Sequence, residues 1–71
     1  MDVQTLKEMS FEVAGTKVEF FIYRCEEQVF VALKGFDVYH GYEPSELLKI
    51  SQMFDEVHKH AEDFQRCLIP H

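Results

Sequence analysis

Leu47, Ile50, Phe54, Val57, Ala61, Phe64 and Leu68 recur at alternating gaps of three and four residues. An α-helix turns once in 3.6 residues, so this spacing holds all seven side chains on one stripe. The last third of the chain is therefore expected to be one long amphipathic helix, which needs an apolar surface to lie on. In heptad terms, with Leu47 and Phe54 at a and Ile50 and Val57 at d, Glu46, Met53, His60 and Cys67 fall at g. From Met53 onward those g positions are at least partly apolar. The buried face thus widens to three positions in seven, as suits a helix resting on the protein's own sheet better than a two-stranded seam.

The opposite face carries Lys49, Asp55, Glu56, Lys59, Glu62, Asp63 and Arg66. Asp55–Lys59 and Glu62–Arg66 stand four apart in the favourable order for ion pairs along a helix. Pro44 suits the first helical position, where a missing N–H costs nothing, and Glu46 can serve the exposed amides of the first turn. Pro70 is expected to stop the helix.

Upstream, the period changes to two. Lys17 to Arg24 sets Val18, Phe20 and Ile22 against Glu19, Phe21 and Tyr23, and Gln28 to Lys34 sets Val29, Val31 and Leu33 against Phe30 and Ala32. Such alternation marks strands. Cys25-Glu26-Glu27 is short enough for a hairpin loop, and Ala14-Gly15-Thr16 reads as an earlier turn after a strand near Ser10 to Val13. Beyond Gly35, Phe36, Val38 and His40 alternate with Asp37 and Tyr39, the pattern of a fourth short edge strand. Val3, Leu6 and Met9, three apart, predict one or two helical turns in Met1 to Met9. The expected fold is α+β: one domain over residues 1–71, with a meander of three or four antiparallel strands and one long C-terminal helix packed on one face.

One helix covers one face of a sheet. With Val18, Phe20, Ile22, Val29, Val31 and Leu33 turned to it, Phe21, Tyr23, Phe30 and Tyr39 are left on the other side. The chain's own means of covering them is the short segment Met1 to Met9. A 71-residue domain buries only about 60% of its unfolded surface, and monomers rarely leave large contiguous apolar patches wet. Phe21, Tyr23, Phe30, Tyr39 and Tyr42 are accordingly the expected partner-binding residues, with a symmetric homodimer as the simplest arrangement.

Thirteen acidic residues against seven basic ones give a net charge of -6. Phosphate contacts need a basic stripe, so direct nucleic-acid binding is not expected, and a basic protein complex is the more plausible second partner. Carboxylates on the sheet (Glu12, Glu19, Glu26, Glu27) or helix (Asp55, Glu56, Glu62, Asp63) could imitate nucleic-acid phosphates. That would be the device of a small acidic inhibitor from a phage or mobile element, acting on a defence or regulatory complex. The plainer reading is that surplus acids keep a small protein soluble.

Reactive constellations are sparse, and no catalytic residue, metal site or cofactor is expected. His58 and His60 are two apart on a helix and diverge, whereas metal-binding pairs on helices stand four apart. His60 is expected to hydrogen-bond Glu56, and His40, beside Tyr39 and Gly41, is the histidine in a loop-like setting. Gly15, Gly35 and Gly41 are isolated and form no phosphate-cradling loop. Cys25 and Cys67 read as reduced thiols, and without an 18-residue apolar run or a secretory leader pattern the chain is expected to be soluble and cytoplasmic. Phe30-Val31-Ala32 followed by Gly41-Tyr42 and Pro44-Ser45 is similar to the hairpin-to-helix stretch of phage antirepressor N-terminal domains of the Bro-N type. Those domains are linked to DNA binding, which the acidic charge here contradicts, and neither residues nor activity carry over.

Overall fold

A computed structural model describes residues 3–37 and 39–68. Three strands, β1 (Val3–Val13), β2 (Thr16–Cys25) and β3 (Gln28–Lys34), form an antiparallel meander in the order β1-β2-β3, and helix α1 (Pro44–Leu68) follows. The α+β meander with a C-terminal helix is thus the observed architecture, in its three-stranded form. Phe36, Asp37, Tyr39 and His40 lie in a connecting loop, not in a fourth strand, while Val38 lies outside the described residues.

Two-residue loops set the register. Val13 faces Thr16 across Ala14-Gly15, both of which have positive φ (51° and 76°), and Cys25 faces Gln28 across Glu26-Glu27, with Glu26 at φ 61°. Positive φ in tight loops gives the turn a twist that matches the strands. The same register puts Lys7, Met9 and Phe11 beside Ile22, Phe20 and Val18, on the face that meets the helix.

The N-terminal segment corrects the helical expectation, because Val3 to Met9 is the first half of β1. A register shift between Thr5 and Lys7 marks a bulge at Leu6. The extra residue turns both Leu6 and Met9 toward the core, three apart, so the bulged strand reproduces a helix-like spacing. β1 lies in the plane of the sheet and does not cross its outer face.

Val13, Val18, Phe20 and Ile22 from the sheet and Ile50, Met53 and Val57 from the helix form the buried core. Phe20 sits at its centre, edge-on to Phe11 and Phe54 at centroid separations of 5.9 and 5.5 Å. The apolar stripe is placed differently from its expected centre line. Met53 is buried, whereas Leu47 and Phe54 remain 54% and 40% exposed, so the helix has rolled toward its g side.

The helix ends behave as the sequence implies where they are described. Pro44 opens α1, and the Glu46 carboxylate accepts the Glu43 amide at 2.9 Å, half of a capping box. Asp55–Lys59 and Glu62–Arg66 pair at 3.0 and 3.3 Å. Pro70 lies outside the described residues. The connecting loop is organised by Asp37: its carboxylate accepts the Tyr39 amide, and its carbonyl accepts the His40 amide and the Tyr42 hydroxyl.

Candidate interaction surface

The odd-numbered residues of β2 and the even-numbered residues of β3 share the face away from the helix. Tyr23 is directly opposite Phe30 and Phe21 is opposite Ala32, which makes Phe21 and Phe30 diagonal neighbours. The Tyr23 and Phe30 rings stack at 5.6 Å with planes 23° apart. Phe21 and Tyr23 are half-buried by their neighbours alone, and Phe30 is 41% exposed. This is an aromatic patch on a sheet face that no other described element covers.

Carboxylates flank the patch on two sides. A depression of about 230 Å³ beside Phe21 is lined by Glu8, Ser10, Lys17 and Glu19, with Lys17 Nζ 3.4 Å from Glu19 Oε1. A shallow opening beside Phe30 is lined by Cys25, Glu26, Glu27 and Gln28. The local surface is therefore an apolar centre with Glu26 and Glu27 at one end and, at the other, Glu8 and Glu19 interspersed with Lys17 and Lys34.

The five aromatic residues singled out from sequence do not form one site. Phe21, Tyr23 and Phe30 come together, but Tyr39 stands on the connecting loop with 95% of its surface exposed and joins no aromatic contact with them. Tyr42 packs on the helix side, its ring stacked on Phe36 at 5.8 Å and beside His40 at 4.7 Å. The cause is the loop geometry around Asp37, which replaces the extended segment that alternation in Phe36 to His40 implies. His40 is thereby exposed on a turn against Tyr42.

The acidic residues divide as well. Glu26 and Glu27 occupy the β2–β3 turn, whereas Asp55, Glu56, Glu62 and Asp63 lie along the exposed side of α1. Asp55 is paired with Lys59, Asp63 with Arg66, and Glu62 with both Arg66 and His58. His60 does not bond Glu56 as expected. The helix roll that buries Met53 turns His60 toward β1, where its Nε2 lies 3.5 Å from Lys7 Nζ. Cys25 and Cys67 are free thiols. Among the described residues no group of three or more His, Cys, Asp or Glu side chains is placed to hold a metal ion, and no helix is long and apolar enough to cross a membrane.

A second apolar surface escaped the sequence reading. On the helix side of β3, Val31 and Leu33 are each 42% exposed, and with Phe54, Val57, His58 and Ala61 they line a groove of about 310 Å³. At one end of this groove the helix is tied to the sheet: Gln65 accepts the Val29 amide at 2.7 Å and donates to the Glu27 carbonyl at 3.2 Å. The signal for it is in β3 itself, where five consecutive apolar residues separate Gln28 from Lys34. No family model matches the chain, and searches of curated proteins and of solved structures return no match.

Proposed function

We propose that the chain is a small acidic protein-binding module of the cytoplasm, not an enzyme, that acts as a homodimer and presents Phe21, Tyr23 and Phe30 to a partner protein. The observation that carries this reading is the uncovered aromatic patch with carboxylates on two of its sides. Aromatic residues supply most of the energy in interface centres, and the rim selects the partner's charge. The partner surface that fits is an apolar side chain or two framed by Lys and Arg. Imitation of nucleic-acid phosphates by a phage-type inhibitor draws less support, since Asp55, Glu62 and Asp63 are tied to basic neighbours and are not free to present a regular row of charge.

The test is capture from a lysate of the host on immobilised wild-type protein and on Phe21→Ala, at low and high salt, with the retained proteins identified by mass. Truncating a buried anchor typically costs about 2 kcal/mol or more, equivalent to at least roughly 30-fold in affinity. A basic protein held by the wild type, lost from Phe21→Ala and released by salt is the expected result. Equal retention by both proteins refutes the aromatic patch as the binding surface.

A further inference from the structure

We infer that a second copy of the chain pairs antiparallel with the open edge of β3, with Ala32 on the two-fold axis, joining two three-stranded sheets into one of six strands. The inference rests on the self-association in the reading above and is independent of what the aromatic patch binds.

The hydrogen-bonding directions come first. Amides alternate along a strand, and Val29 N–H points away from β2, since it donates to Gln65 on the helix. Val31 and Leu33 therefore point their N–H and C=O groups the same way, and among the described residues no side chain meets those amides. β3 thus offers two residues of unpaired backbone between the Gln65 cap and its own end.

The two edges of the sheet differ sharply. β1 is blunted by the bulge at Leu6 and carries Lys7, Glu8 and Glu12, devices that discourage edge pairing. β3 carries no bulge, proline or carboxylate, and its one charge is Lys34 at the end. In a chain of net charge -6, this strand brings no carboxylate of its own against its counterpart, the nearest acids, Glu27 and Asp37, lying beyond its two ends.

The register follows from the cap. Gln65 closes the position of Val29, so the open residues that remain, Val31 and Leu33, match when Val31 of each copy faces Leu33 of the other. Both residues point outward, so the two pairs exchange four main-chain hydrogen bonds. Ala32 then meets its own counterpart at the axis, where a small side chain fits, and Lys34 lies across from Phe30, over an aromatic ring instead of a like charge. On the helix side, the half-exposed Val31, Leu33 and Phe54 of the two grooves close on each other. Leu47, seven residues before Phe54 and on the same side of α1, extends that apolar strip. The part of the stripe that the monomer leaves wet is the part this pairing covers.

Two measurements test it. Sedimentation equilibrium is run on the wild type and on Val31→Pro and Phe21→Ala. Proline at an outward-facing edge position removes an intermolecular donor without touching the β2–β3 ladder. The wild type and Phe21→Ala should sediment at twice the chain mass, and Val31→Pro at the mass of one chain. The register is read by oxidation of Ala32→Cys made in a Cys25→Ser, Cys67→Ser background, because directly facing residues that are not hydrogen-bonded have Cα atoms about 4.5 Å apart, within disulfide reach. Ala32→Cys should form a covalent dimer and Lys34→Cys in the same background should not. A wild type that stays monomeric to about 1 mM overturns the proposal, as does a dimer that Phe21→Ala dissolves while Val31→Pro leaves it intact. Crosslinking through Val31→Cys in place of Ala32→Cys overturns the register.

Discussion

At Gly35 a single hydrogen atom decides whether β3 can leave the sheet. Its φ is +90°, and a Cβ built there would stand 2.4 Å from the Lys17 carbonyl oxygen, a backbone atom of β2. Neither the strained φ nor the clash can be relieved by rotating a side chain. The left-handed conformation and the overpacking each cost about 1–3 kcal/mol, against a total stability of a few kcal/mol for so small a domain. Gly35→Ala is expected to lower the midpoint of thermal unfolding by at least about 10 °C, measured by circular dichroism. Sequence alone marked Gly35 as an interruption, but the close approach to Lys17 depends on register and is not written locally. The same holds for the segment from Phe36 to His40. Its alternation reads as strand, yet Asp37 accepts three hydrogen bonds from its neighbours and winds it into a loop.

Among the elements, α1, β2 and β3 were legible because each has a clean period and a recognisable end. β1 was half legible: Ser10 to Val13 alternates, but the bulge at Leu6 shifts the phase, and a shifted strand cannot be told from a helical turn by spacing. The helix's apolar stripe was legible, while its roll was not, since that depends on which neighbours are present to pack against. One side chain secures the roll. Gln65 bonds both Val29 and Glu27 and so ties the C-terminal turns of α1 to the start of β3. Gln65→Ala removes two hydrogen bonds of about 1 kcal/mol each. Its expected effect is a loss of about 1–2 kcal/mol in urea unfolding, with faster amide exchange at Val29 and little change at Phe20. Unchanged exchange at Val29 would show that this tie does not hold the edge.

At the scale of the whole molecule, among the described residues one helix and three strands leave two apolar surfaces uncovered, and they lie on different sides. The outer aromatic patch is flanked by carboxylates, and its proposed partner is of opposite charge, whereas β3 itself carries no carboxylate, and its proposed occupant is a second copy. Joined through β3, two copies would carry both aromatic patches on one continuous face, presenting a bivalent surface to the partner. The aromatic patch was readable from alternation alone. The β3 edge was missed because the alternation of Phe36, Val38 and His40 with Asp37 and Tyr39 implies a fourth strand that would cover it, where the structure has the loop around Asp37.

Amide hydrogen exchange, followed by NMR at low and high protein concentration, tests this account most directly. Val31 and Leu33 are expected to be protected, and more so as concentration rises, while Ser10 and Glu12 on the far edge exchange quickly throughout. Rapid exchange of Val31 and Leu33 at every concentration would contradict pairing at this edge.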